Sequence, residues 1–113
     1  MDRLYILEQE ALARMGGNKK LYVKLLKSFL GNDSSYQNLI ASFAAGDLET
    51  AQHEAHTIKG VAGNLALHIL YDESERLGIS LKSGAADAEI LDSFKNAMEK
   101  TAEAVSRYIE DTD

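Results

Sequence analysis

The stretch Ala55-His56-Thr57-Ile58-Lys59-Gly60-Val61-Ala62-Gly63-Asn64 brings an imidazole, an ammonium group and two glycines close together. At about 100° per residue on a helix, Glu49, Gln52, His53, His56, Lys59, Gly60 and Gly63 share one face. Ala51, Ile58, Ala62 and Leu65 lie opposite and account for the core side. A neutral imidazole that faces solvent offers a ring nitrogen lone pair to an incoming phosphoryl group or a metal. Lys59, three residues on, supplies a flexible cation for phosphoryl oxygens, and Gly60, four residues on, leaves space where a side chain would crowd the ring. Each mid-helix glycine costs about 1 kcal/mol against alanine, so two on one face suggest a surface that another body approaches closely. Gln52, His53 and Gly63 are the expected docking residues around His56, Lys59 and Gly60. Exchange between a histidine and a carboxylate is mostly positioning and charge stabilisation, so few groups suffice if the partner completes the site.

The elements that must position this face are helical. After Asp2 as an N-cap, Leu4, Leu7, Ala11, Leu12 and Met15 recur at helical spacing and Gly16-Gly17 ends the pattern. Asn18 caps a second stripe of Leu21, Tyr22, Leu25, Leu26 and Phe29. Tyr36, Leu39, Ile40 and Phe43 keep its phase, so Gly31-Asn32-Asp33 reads as a kink or brief break. Gly46-Asp47 closes this arm and starts the helix that carries His56. Leu67, Leu70, Leu77 and Leu81 form the next period, Ser83-Gly84 a turn, and Ile90 to Ile109 a last long helix. Four long helices with short connections predict an all-α, antiparallel up-down-up-down four-helix bundle, with the short first helix as a cap. Residues 1–113 read as a single domain, and the acidic tail Glu110-Asp111-Thr112-Asp113 is expected to fray.

Composition narrows the function classes. The 113 residues include no proline or cysteine and 45% apolar residues, enough for one helical core without disulfides or thiolate chemistry. A net charge of -6, from 18 acidic and 12 basic residues, argues against a nucleic-acid partner. No apolar run approaches the roughly 20 residues of a membrane span, so direct membrane insertion is not expected.

Each assignment has a bland rival. A lone helix histidine is usually a solvated surface residue, Lys59 matters only if His56 does, and Gly60 or Gly63 could instead permit close helix packing. His53 reads by itself as a surface residue, His68 as a loop or helix-start residue, and Asn64 as a helix-end residue tolerant of unusual backbone angles. A metal site from Glu49, His53 and His56 lacks both a His-Glu-x-x-His spacing and a ligand pair on a second helix. No bound metal or cofactor is therefore expected. A nucleotide site is disfavoured because the glycine pairs follow no strand and lack phosphate-loop spacing. A helical docking module whose histidine is never phosphorylated is the strongest rival.

His56-Thr57-Ile58-Lys59-Gly60, continuing through Asn64, closely resembles the signature of histidine-containing phosphotransfer (HPt) domains of two-component signalling. Leu12 to Tyr22, Leu25-Leu26, Phe29 and the Ala45-Gly46-Asp47 lead into the helix resemble the same family. The resemblance implies a four-helix bundle without kinase activity of its own. His56 would be phosphorylated on its outer ring nitrogen, with Lys59 at the phosphoryl oxygens and Gly60 giving access. It implies response-regulator receiver domains as partners, with Mg2+ held by the receiver, and a monomer in the cytoplasm, free or within a membrane-bound hybrid sensor histidine kinase. Two positions depart from the family pattern. Ala66 stands where a second glycine is frequent, ten residues after the histidine. Gly78 stands where a Gln or Glu often holds the inner ring nitrogen, and Glu75, one turn away, is the candidate substitute.

Overall fold

A computed structural model describes residues 4–112. Among them the chain is all-helical: α1 (Glu8–Arg14), α2 (Lys19–Gly31), α3 (Ser34–Ala44), α4 (Leu48–Asn64), α5 (His68–Lys82) and α6 (Ala88–Thr112). Local chemistry sets most of the boundaries. The Asn18 side chain accepts from the Leu21 amide at 3.0 Å and caps α2. Asp47 does the same for α4, accepting from the Thr50 amide at 3.2 Å and the Thr50 hydroxyl at 2.7 Å. These bonds favour the ionised carboxylate and hold its pKa below the usual range. Asp87 accepts from the Glu89 amide at 2.9 Å as α6 begins. Gly46 takes a φ of 76° between α3 and α4, a turn that a side chain would strain.

Three sequence expectations need correction. The proposed Asp2 cap lies outside the described residues, and α1 starts only at Glu8, with no side-chain cap at Leu7. The stretch before it is held otherwise, by the Leu7 amide donating to the Ala66 carbonyl at 3.0 Å. The acidic tail does not fray before Thr112: α6 runs on to that residue, whose hydroxyl donates to the Tyr108 carbonyl at 2.7 Å. The unusual backbone after α4 belongs to Ala66, with φ 57°, and not to Asn64, which stays helical. The left-handed conformation costs a non-glycine residue about 1–2 kcal/mol, so the contacts of this turn must hold it there.

Helix neighbours form a closed circuit: α4 packs between α3 and α5, α5 against α6, and α6 back against α2, with α1 on α2. The molecule measures 41 × 23 × 21 Å. At 1.5 Å per residue the 25-residue α6 spans about 38 Å, nearly the full long axis. The α2–α3 break falls at Asn32-Asp33, as the apolar phase suggested. Tyr22, Leu26, Leu39, Ile58, Leu70, Leu77, Phe94 and Val105 are buried in the core, with small Ala51, Ala55 and Ala62 along the inner side of α4. Those alanines let α3 and α5 come close to α4. The Tyr22 hydroxyl donates to the Leu65 carbonyl at 2.7 Å inside the core, pinning the α4–α5 turn to α2.

Candidate functional site

Burial follows the helical pattern of α4. Ala51, Ala55, Ile58 and Ala62 are buried, and His53, His56 and Gly60 are exposed on the outer side. His56 therefore stands in the third turn of a 17-residue helix with its ring open to solvent. A Cβ built on Gly60 would meet nothing within 4 Å, so the space beside the ring is open.

Helix α5 forms the other wall. Gln52, His56 and Lys59 from α4 and Ser74, Glu75, Gly78, Ile79 and Lys82 from α5 line a concavity of about 230 Å3. Lys59 is half-buried at its edge. Its ammonium lies 3.6 Å from Glu75 Oε1 and 5.4 Å from the centre of the Tyr71 ring. A part-exposed ion pair of this kind is worth about 0–1 kcal/mol, so an incoming anion can displace Glu75 at little cost. Gly78 contributes open space, since a Cβ there would meet nothing within 4 Å. Glu75, the suggested support for the inner nitrogen of His56, is thus engaged by Lys59.

The other predicted residues separate. Gln52 lines the concavity and His53 is exposed one turn before His56. Gly63 belongs to a packing contact: a Cβ there would lie 3.3 Å from the Tyr71 ring, and its carbonyl accepts from the Arg14 guanidinium. Of the two readings open for this glycine, close helix packing is the one its surroundings favour. His68 opens α5 and is half-buried, away from the His56 concavity. Among the described residues, Glu49, His53 and His56 do not form a metal-holding group, nor do any three such side chains.

Sequence reasoning missed Lys82, which reaches the concavity from α5. Its spacing held the signal, because Lys82 follows Glu75 by seven residues and Gly78 by four, placing all three on one face. It also missed the other flank of α4, where Thr57 and Val61 border a groove of about 330 Å3 with Leu25, Phe29 and Met98.

A family model for the Hpt domain matches residues 24–106, well over half of the chain and all of α3, α4 and α5. The chain belongs to the Hpt domain family. Members of this family are histidine phosphotransfer modules of two-component systems, and are phosphocarriers that work with receiver domains, not kinases. The match begins inside α2, so α1 and the Gly16-Gly17 turn lie outside it. No curated protein and no solved structure matches the chain. No described helix is long and apolar enough to cross a membrane.

Proposed function

We propose that His56 is the phosphorylated residue of a phosphorelay intermediate, taking its phosphoryl group from one receiver-domain aspartate and passing it to another. The observation that carries this reading is the exposed His56 ring in a concavity lined by Lys59 and Gly78, with open space at Gly60 one turn along its own helix. In the forward step, the lone pair of the outer nitrogen, Nε2, attacks the phosphorus of the aspartyl phosphate. An N–P bond forms while the P–O bond to the carboxylate breaks, and its electron pair leaves with the carboxylate. The imidazole keeps its proton on Nδ1, so the phosphorylated ring is cationic until it loses that proton to solvent. The return step to a second receiver is the reverse.

Lys59 neutralises charge on the phosphoryl oxygens, Gly60 admits the receiver, and Gln52 and His53 meet it at the rim. The partner holds the Mg2+, and this chain supplies the nucleophile and its surroundings. The exposed Leu25 and Val61 give a docking receiver apolar contact next to the histidine. The helices form a single domain, a monomeric up-down-up-down bundle in which α2 and α3 together make the first arm. It works in the cytoplasm, free or joined to a membrane-bound sensor kinase.

The test is transfer of labelled phosphate from a phosphorylated receiver to this chain. The product should be labile to acid and stable to base, and His56→Gln should abolish it while docking persists. The same substitution should change stability by no more than about 0.5 kcal/mol, as for other exposed helix positions. Docking without any transfer by the wild type would leave the non-phosphorylated docking module.

A further inference from the structure

Lys59 is held at two points, and the two holds differ in kind. Its ammonium lies 3.6 Å from Glu75 Oε1 and over the Tyr71 ring, 5.4 Å from the ring centre. A carboxylate neutralises the ammonium and competes with a phosphoryl group for it. The face of an aromatic ring attracts a cation through its quadrupole and leaves the charge in place. Lysine carries its charge on a flexible four-carbon stem, so an ammonium without such a hold would spend much of its time away from His56.

Tyr71 reaches this position because Gly63 has no side chain. Gly63 follows Lys59 by four residues and shares its face of α4. A Cβ on it would lie 3.3 Å from two carbons of the ring, so the ring fills the space a larger residue would take, one turn from Lys59. The Tyr71 backbone is fixed in the first turn of α5, its amide donating to the Leu67 carbonyl at 2.9 Å, and its side chain packs half-buried against the core. The charged and titratable groups around this strip are Glu75 and Lys82 on α5, and Glu10, Arg14 and His68 in the hollow that Tyr71 also borders. Arg14 is itself engaged by Glu10 at 2.7 Å and by the Gly63 carbonyl.

Resting on the relay reading, we propose that Tyr71 is a positioning residue for phosphoryl exchange, its ring face holding the Lys59 ammonium beside His56 so that the phosphoryl oxygens meet an ordered cation. Glu75 is the hold that the phosphoryl group displaces, since it brings about two negative charges at neutral pH against one, and Tyr71 is the hold that stays. A ring packed on Gly63 for stability alone predicts a change in melting and none in the phosphoryl group.

The experiment needs no partner. The full chain is loaded with potassium phosphoramidate, which gives its phosphoryl group to the ring nitrogen and releases ammonia. The His56 resonance is assigned in the 31P spectrum by its loss in His56→Gln and is followed against pH. A nearby cation stabilises the dianion and lowers its titration midpoint, so Lys59→Met should raise it. Tyr71→Leu, which keeps bulk against Gly63 without a π face, should raise it by about 0.4 pH unit, the lower end of what one cation–π contact is worth. Tyr71→Phe should keep the wild-type midpoint, and Tyr71→Leu should add nothing in the Lys59→Met background. A wild-type midpoint in Tyr71→Leu overturns the proposal, as does an equal rise in both backgrounds, which would mean that the ring acts through something other than Lys59. The contact is read separately in the unloaded protein, where ring current should move the Lys59 ε-methylene protons upfield in the wild type and Tyr71→Phe and not in Tyr71→Leu. An unshifted wild-type signal also overturns the proposal. Failure of His56 to load beside shifted Lys59 signals would sink the relay reading, and the positioning role with it, while the contact itself stood.

Discussion

Gly60 makes the access argument measurable, because stability and transfer should move in opposite directions when it is replaced. It lies inside α4 and is exposed, and beyond the adjoining backbone of its own helix no heavy atom lies within 4 Å of the position a Cβ would take. Alanine there should therefore gain the full helix-propensity difference, about 0.8–1.0 kcal/mol, with no clash to subtract. In a chain of this length that raises Tm by about 4 °C. Leucine has nearly the helix propensity of alanine, so Gly60→Leu should melt at a similar temperature. It also places a branched side chain one turn from the His56 ring, where the receiver must approach.

Misplacing reacting groups by about 1 Å can cost on the order of 100-fold in rate. Gly60→Leu should accordingly slow transfer by about tenfold or more, and Gly60→Ala by less. The assay pairs thermal melting followed by circular dichroism with quench-flow transfer from a labelled phospho-receiver. A variant that melts higher and transfers more slowly has not lost activity by unfolding. Normal transfer by Gly60→Leu would refute the access role, and a lower Tm in Gly60→Ala would refute the open geometry beside the ring.

Gly63→Val should behave in the opposite way. The Tyr71 ring already lies 3.3 Å from the Cβ position, so overpacking should remove about 1–3 kcal/mol of stability in a urea melt, and a stabilised variant would show that α5 yields there. Tyr22→Phe should cost about 1–3 kcal/mol, since it strands the buried Leu65 carbonyl now 2.7 Å from the tyrosine hydroxyl. Burial, with the Glu8 carboxylate second, raises the Tyr22 pKa above its ordinary 10.0. Its contribution is thus complete below pH 10.0 and declines as pH climbs toward the higher folded value. The phenylalanine variant should lose stability less steeply at alkaline pH than the wild type, keeping the part due to Tyr36 and Tyr108, whose pKa values are also raised. Equal alkaline slopes in chemical melts would remove Tyr22 from the account.

Periodicity made the helices legible because each one buries a single stripe. The inner residues of α4, from Ala51 to Ala62, and the Leu70, Leu77 and Leu81 row of α5 are buried where the spacing put them. The caps at Asn18 and Asp47 were equally readable, since the required side chain sits next to the helix it starts. The start of α1 was not. It depends on the Leu7 amide reaching Ala66, a contact between residues far apart in sequence, and no local pattern encodes it. Nor could the chain alone reveal that Ala66 would take the left-handed conformation in place of Asn64. That choice is fixed by the tertiary contacts of the α4–α5 turn, where Leu65 and Leu67 are buried and two carbonyls accept bonds from α2 and the N-terminal stretch.

The glycines show where one-helix reasoning stops. On the wheel of α4, Gly60 and Gly63 share a face and look equivalent, yet one borders open space and the other lies against Tyr71. What separates them is the facing helix: the α5 side chain opposite Gly63 is a large ring, and the wall beside His56 contains Gly78. The same facing helix supplies Glu75 and Lys82, so the charge around His56 is shared between two helices although the motif lies on one. On the relay reading the histidine motif supplies the proposed nucleophile, and the opposing face of α5 adds the charges that a phosphoryl group on it would meet. Substitutions on α5 that leave the motif intact should for that reason change the lifetime of the proposed phosphohistidine, whereas Gly60→Leu should change receiver access instead.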